Sequence, residues 1–306
     1  MLKNVKITNA YGDSLTFKTG HNDFGLLSMG DLGSISITNA RRKGYLQRGE
    51  TVVQKSYDAR NLTLTLMVSG KTRTSFYNRM RQVSRLFEVE YTESNDLTPF
   101  TIEIETIQGK KMAQAYVDMS PSFRMDADNY DERFQRFMVN FVMPTPVFMD
   151  LVGTEILAES QIDAFEFPVE IEDTFIFADI LEGGFNIVNT GEVSMPLRIR
   201  FVGESTNPVV GNVTYGEFLK LNTTIADGDE VIIDTSYENP QVMLISGGVA
   251  TSGFQFIDSE QSALNMMLRR GVNEFVYTSD DATRSSAIIE YRRGWLSVYG
   301  RGEVLS

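Results

Sequence analysis

Strict alternation of apolar and polar residues constrains this chain more than any other feature. Val5-Lys6-Ile7-Thr8, Ile35-Ser36-Ile37-Thr38, Leu62-Thr63-Leu64-Thr65-Leu66 and Ile102-Glu103-Ile104-Glu105 each repeat with period two. A strand with that period turns one face to a core and the other to water. Breaks rich in Gly, Asn and Asp separate the runs, as turns require. One segment departs from the pattern. Over Thr74–Val89, Phe76, Met80, Val83 and Phe87 recur at helical spacing, Arg79, Arg81 and Arg85 take other faces, and Ser75 stands where an N-cap belongs. The pattern predicts a mainly β chain with one main amphipathic helix packed on a sheet.

The 306 residues suffice for two domains, each with its own core. Met143-Pro144-Thr145-Pro146 stops a strand and stiffens the chain, because proline fixes φ and removes a donor. Charge changes near the same point. Residues 1–150 carry 19 Lys and Arg against 17 Asp and Glu, whereas residues 151–306 carry 9 against 24, and no Lys or Arg lies between Arg136 and Arg198. These observations predict a β-rich α+β domain over 1–146 and a second domain over 147–306. In the second, short apolar runs such as Phe165–Phe167, Phe175–Phe177, Leu197–Phe201, Glu230–Thr235 and Trp295–Tyr299 follow one another at even spacing. That spacing predicts a sandwich or jelly roll.

Composition excludes several functions. With no cysteine there is no disulfide, thiolate metal site or cysteine nucleophile, and the chain suits a reducing cytoplasm. A net charge of −13 makes it a poor sequence-independent binder of nucleic acid, which needs clustered cations. The N-terminus lacks the apolar core of a signal peptide, and no apolar run is long enough to span a bilayer, so no membrane insertion is expected. The single histidine, His21, lies in a turn-like run, and no G-x-S-x-G or nucleotide-binding motif accompanies it. Glu103/Glu105 and Glu170/Glu172 are paired carboxylates of the kind a glycan hydrolase uses. A Glu at every second strand position is more simply a solvent face. Asp126-x-Asp128-x-x-Asp131 lacks the Gly and terminal Glu of a calcium loop. The expectation is no catalytic residue, no metal site, no cofactor and no enzymatic activity.

Two features point to interaction. Residues 39–60 form a basic, turn-rich stretch between strands, punctuated by Gly44 and Gly49. It reads as a solvated loop or as an interface arm. As an arm, Arg41, Arg42, Lys43, Tyr45, Leu46, Arg48, Val52 and Val53 are the candidate contact residues. The apolar members matter more than the charges, since exposed ion pairs are individually weak. Trp295 and Tyr299, in the last strands, are candidates for stacking on a sugar; the structural alternative is a sandwich core or rim.

Three stretches, taken in order, resemble a known family. They are Arg60–Gly70 followed by the helix, then Phe137–Asp150, then Leu268–Tyr277 with Ile289–Leu296; Gly216–Asn222 leading to Val231–Thr235 fits as well. Their order is similar to that in the distal tail proteins of long, non-contractile-tailed phages of Gram-positive bacteria. No single motif is specific, and residues 151–185 are read as added length. The resemblance implies a non-enzymatic virion protein, assembled in the host cytoplasm. Its N-terminal domain and arm would close into a homohexameric ring, and its C-terminal domain would be an outward galectin-like sandwich. The ring would join the tail tube to tail-tip or receptor-binding proteins while DNA passes through unread. The alternative within the same tail tip is a carbohydrate-binding host-adhesion protein.

Overall fold

A computed structural model describes residues 2–20, 23–33, 35–87, 98–123, 126, 128–159, 184–236, 239–280 and 285–299. The chain divides into two compact units. One runs through Leu151 and takes back the chain from Gly294; the other is Val152–Arg293. The division expected at Pro146 thus falls at Leu151, and the last strand belongs to the first unit. The two prolines precede a short further strand, Phe148–Asp150, and that strand is what the C-terminal segment pairs with.

The first unit is built on strands β1 (Leu2–Thr8), β2 (Ser14–Lys18), β3 (Phe24–Met29), β4 (Ile37–Arg42), β5 (Thr51–Tyr57) and β6 (Arg60–Ser69). After helix α1 (Arg73–Leu86) come β7 (Phe100–Thr106), β8 (Gly109–Phe123), β9 (Tyr130–Asp131), β10 (Phe134–Met143) and β11 (Phe148–Asp150). Strand β8 pairs first with β7 and then, past a change of register, with β10. This closes the order β8-β7-β1-β2-β3-β6-β10 on itself. Closure removes free edges and fixes an inside. Val5, Ile7, Leu62, Leu64, Leu66, Ile102, Ile104, Val139 and Phe141 fill it, which is why the alternating runs alternate.

Helix α1 packs Phe76, Val83 and Leu86 into the same core. Its N-cap is Thr72, one turn before the expected Ser75. The Thr72 hydroxyl accepts from the Ser75 amide and the Ser75 hydroxyl accepts from the Thr72 amide, a reciprocal capping box. Gly70 permits the tight entry: a Cβ there would lie 2.4 Å from the Phe76 nitrogen.

The second unit is all antiparallel. Strands β12 (Thr154–Glu159), β14 (Met195–Val202), β19 (Glu230–Asp234), β20 (Gln241–Ser246), β21 (Val249–Ser252), β22 (Met267–Leu268) and β24 (Ser286–Tyr291) make one sheet. Strands β13 (Phe185–Asn189), β16 (Val209–Asn212), β17 (Glu217–Lys220) and β23 (Gly271–Thr278) make another, and β15 (Ser205–Thr206) pairs with β18 (Thr224–Ile225). Ile199, Phe201 and Val231 of the first sheet share a core with Ile187, Val210 and Phe275 of the second. The result is the expected sandwich. The expected strands at Phe165–Phe167 and Phe175–Phe177, and most of the acidic stretch 151–185, lie outside the described residues.

Candidate interaction surface: the basic hairpin

Among the described residues, strands β4 and β5 pair only with each other, forming a hairpin outside the barrel sheet. The expected arm at 39–60 is therefore Ile37–Tyr57. Ile37 lies across from Tyr57, Asn39 from Lys55 and Arg41 from Val52, and these pairs share one face. The register slips between Ala40 and Arg41, so Val53 is the extra residue of a bulge. At the tip the Gln47 side chain accepts from the Gly44 amide at 2.8 Å and donates to the Thr51 hydroxyl at 2.8 Å. At the root the Thr38 hydroxyl donates to Asp58 at 3.0 Å.

Every residue of β5 is exposed, and only Asn39 of β4 is partly covered. Tyr45 is 95% exposed, Leu46 86% and Val53 60%, with Ile37, Val52 and Tyr57 near half. Leu46 is held at φ 58°, a left-handed conformation that costs a non-glycine residue on the order of 1 kcal/mol. A two-stranded ribbon without a covered face is marginal in water. Apolar side chains gathered at its tip and along one face gain nothing from solvent. The hairpin also carries Arg41, Arg42, Lys43, Arg48 and Lys55 against Glu50 alone. Arg41 approaches Glu50 at 3.6 Å; among the described residues the other four cations have no carboxylate within ion-pair distance. All eight candidate contact residues thus lie on this one free element. Ile37 and Tyr57 join it. Their signal was present in the sequence as apolar residues flanking the basic stretch, but the paired register is needed to see them meet.

Arg60, counted with the basic stretch, is not on the hairpin. It is 3% exposed at the hairpin's root and donates to backbone carbonyls. Trp295 requires a correction: it is buried in the first unit, not presented by the second. Its Nε1 donates to Asp150 Oδ1 at 2.9 Å, and the Lys111 ammonium sits 3.8 Å from its ring centroid. A ring 4% exposed has no face for a sugar. Tyr299 is half exposed, beyond the two-residue strand Gly294–Trp295 that replaces the longer strand expected there.

The carboxylate pair Glu103/Glu105 lies on the outer face of β7. Glu103 meets Lys6 at 2.7 Å, and Glu105 accepts from Asn4 at 2.9 Å with Lys110 and Lys3 beside it. The Asn4 hydrogen bond, helped by those two lysines, holds the Glu105 carboxyl below the ordinary range against a smaller effect of burial. A general acid needs the opposite shift. Asp126 is used in a turn, accepting from the Asn129 amide at 3.0 Å. Among the described residues no three His, Asp or Glu side chains group as metal ligands. His21, Glu170 and Glu172 lie outside the described residues.

Residues 190–295 match the family model of the siphovirus-type tail component, C-terminal domain. No curated protein matches the chain. Among solved structures, the chain is similar to Dit of phage SPP1, described as a paradigm of the hub adsorption apparatus in phages infecting Gram-positive bacteria. The TM-score is 0.61 at 13% identity, covering 95% of this chain and 98% of that one. It is also similar to a chain of the phage P2 baseplate in its activated conformation with Ca, with a TM-score of 0.54 at 14% identity, covering 95% and 98%. Residues 190–295 are thus similar to the C-terminal domain of siphovirus-type tail components, and the chain shares the fold of SPP1 Dit.

Proposed function

We propose that this protein is a structural hub of a phage tail tip, and that its basic hairpin is the arm by which one subunit grips the next in a ring. The free hairpin carries this reading: an element with no covered face, apolar tip residues and unpaired cations is built to be covered by something else. A second copy is a fitting partner, because the chain is strongly acidic apart from this element. In a closed ring each subunit presents one patch and receives another, so a single arm serves every interface. Six subunits is the number the family resemblance implies. SPP1 Dit, a hub of an adsorption apparatus, supports placing the ring between the tail tube and the tail-tip proteins, in the virion. The role is scaffolding without catalysis, with DNA passing through unread.

The test replaces Thr38–Ser56 with a short Gly-Ser linker and measures mass by light scattering across a concentration series. The parent is expected to form a ring and the variant a folded monomer with unchanged circular dichroism apart from the lost hairpin. Rings formed equally by both proteins would reduce the hairpin to a loop.

A further inference from the structure

The hairpin's root holds a buried cation whose partners come from distant parts of the chain. Arg60 opens β6, directly after the hairpin's returning strand, yet it is 3% exposed. Its Nη1 donates to the carbonyl of Asp31 at 2.8 Å, on the hairpin's outgoing root. Its Nη2 donates to the carbonyl of Leu296 at 2.6 Å, in the segment that returns from the second unit. Its guanidinium carbon stands 4.7 Å from the ring centroid of Phe148, on the strand that leads toward that unit. A further bond joins the same two regions: the Val298 amide donates to the Leu32 carbonyl at 3.2 Å. Asp31 itself is held at φ 59°, a conformation a non-glycine residue keeps only when its surroundings impose it.

Stability alone does not call for an arginine here. The group is held by carbonyls rather than by a hydrogen-bonded carboxylate, and its Nε has no partner. Burial pushes its pKa down, offset only in part by the Asp31 charge. An apolar residue of similar volume avoids that cost. What arginine supplies is a rigid planar fork that can donate to two carbonyls at once.

We infer that Arg60 is a positioning residue that joins both roots of the hairpin to the C-terminal segment returning from the second unit, so that the two are held or released together. The assembly role of that joint rests on the reading of the hairpin as an arm; the joint itself does not. A second buried cation provides the contrast. Lys111 lies against Trp295 and pairs with Asp150 at 2.7 Å. It touches the same C-terminal segment from β8, where its strand neighbours are β7 and β11.

Hydrogen exchange on the full chain separates the two. Arg60→Met is expected to speed exchange about tenfold or more in peptides covering both Asp31–Leu32 and Leu296–Val298, as loss of charge-assisted hydrogen bonds does. Helix α1 and β7 should keep the parent's protection. Lys111→Met should loosen the C-terminal peptide alone. Parent-like exchange in either peptide of Arg60→Met overturns the joint, as does uniform loosening of the whole barrel. If Arg60→Met fails to fold, Arg60→Lys, which reaches one carbonyl but does not span two, must show the same paired loosening to a smaller extent; unchanged exchange there overturns it equally. Assembly is read separately. If the hairpin replacement abolishes rings while Arg60→Met forms them at the parent's concentration, the positioning role in assembly fails although the arm reading survives. If the hairpin replacement still forms rings, the arm reading fails while the exchange result decides the joint.

Discussion

Two antiparallel strand pairs of the first unit meet opposite fates. Strands β6 and β10 pair along their full length, and alternate residues of both enter the barrel: Leu62, Leu64, Leu66 and Val68 beside Phe137, Val139 and Phe141. Strands β4 and β5 also pair along their length, with one bulge, and send no residue into a core. Backbone pairing is therefore not what separates core from appendage. The difference is a covered face, and among the described residues nothing covers the hairpin. On the proposed reading a neighbouring copy covers it, while the barrel covers itself.

Substitutions should break this symmetry in opposite directions. Phe141→Ala is expected to cost about 3–5 kcal/mol of monomer stability, whereas Tyr45→Ala should stay within about 0.5 kcal/mol. Denaturant unfolding of dilute protein checks both. A Tyr45 variant destabilised as much as the Phe141 variant would mean the tip packs on its own chain. Trp295→Ala should cost about 3 kcal/mol or more, because it empties a buried site and removes the ring beneath Lys111 and the donor to Asp150. A surface effect of a few tenths there would contradict the assignment of the C-terminal strand to the first unit. Thr72→Ala opens the capping box and should cost about 1 kcal/mol, read as a lower denaturant midpoint at unchanged slope. No change would put the helix start elsewhere.

The smallest effect is electrostatic. A carboxyl whose folded pKa is depressed contributes stability above its unfolded pKa and loses it as pH falls through the folded value. Glu105 is such a group, chiefly through Asn4. An NMR titration should find it below the ordinary glutamate range, and Asn4→Ala should move it up. A Glu105 that titrates alike in both proteins would show that the hydrogen bond does not hold it.

Much of this architecture is legible in period and spacing. The runs at Leu62–Leu66 and Ile102–Glu105 name their own buried faces, and the helix is visible from Phe76 and Val83. The basic stretch stands out by charge. What escapes is long-range pairing. Strand β8 serves two partners, and its sequence, with Lys111 buried and Pro121 within the strand, shows no clean alternation to announce it. Trp295 reads as part of the second domain because nothing local marks its return to Phe148. Arg60 reads as one more arm cation because burial of a guanidinium depends on residues far away in sequence. Local period encodes strands and faces; closure and clamps depend on which distant segments meet.

The central claim is that the hairpin tip lies on a neighbouring copy of the chain. The absence of cysteine makes a single label possible. Tyr45→Cys carrying a benzophenone on its thiol, irradiated in the assembled protein, is predicted to give a ladder of covalent oligomers ending at the ring's own subunit number, with the same label on Ile107→Cys, at an exposed position in the turn between β7 and β8 and off the hairpin, giving none. A tip that cross-links only within its own chain, or a ladder equally strong from Ile107→Cys, would contradict the account.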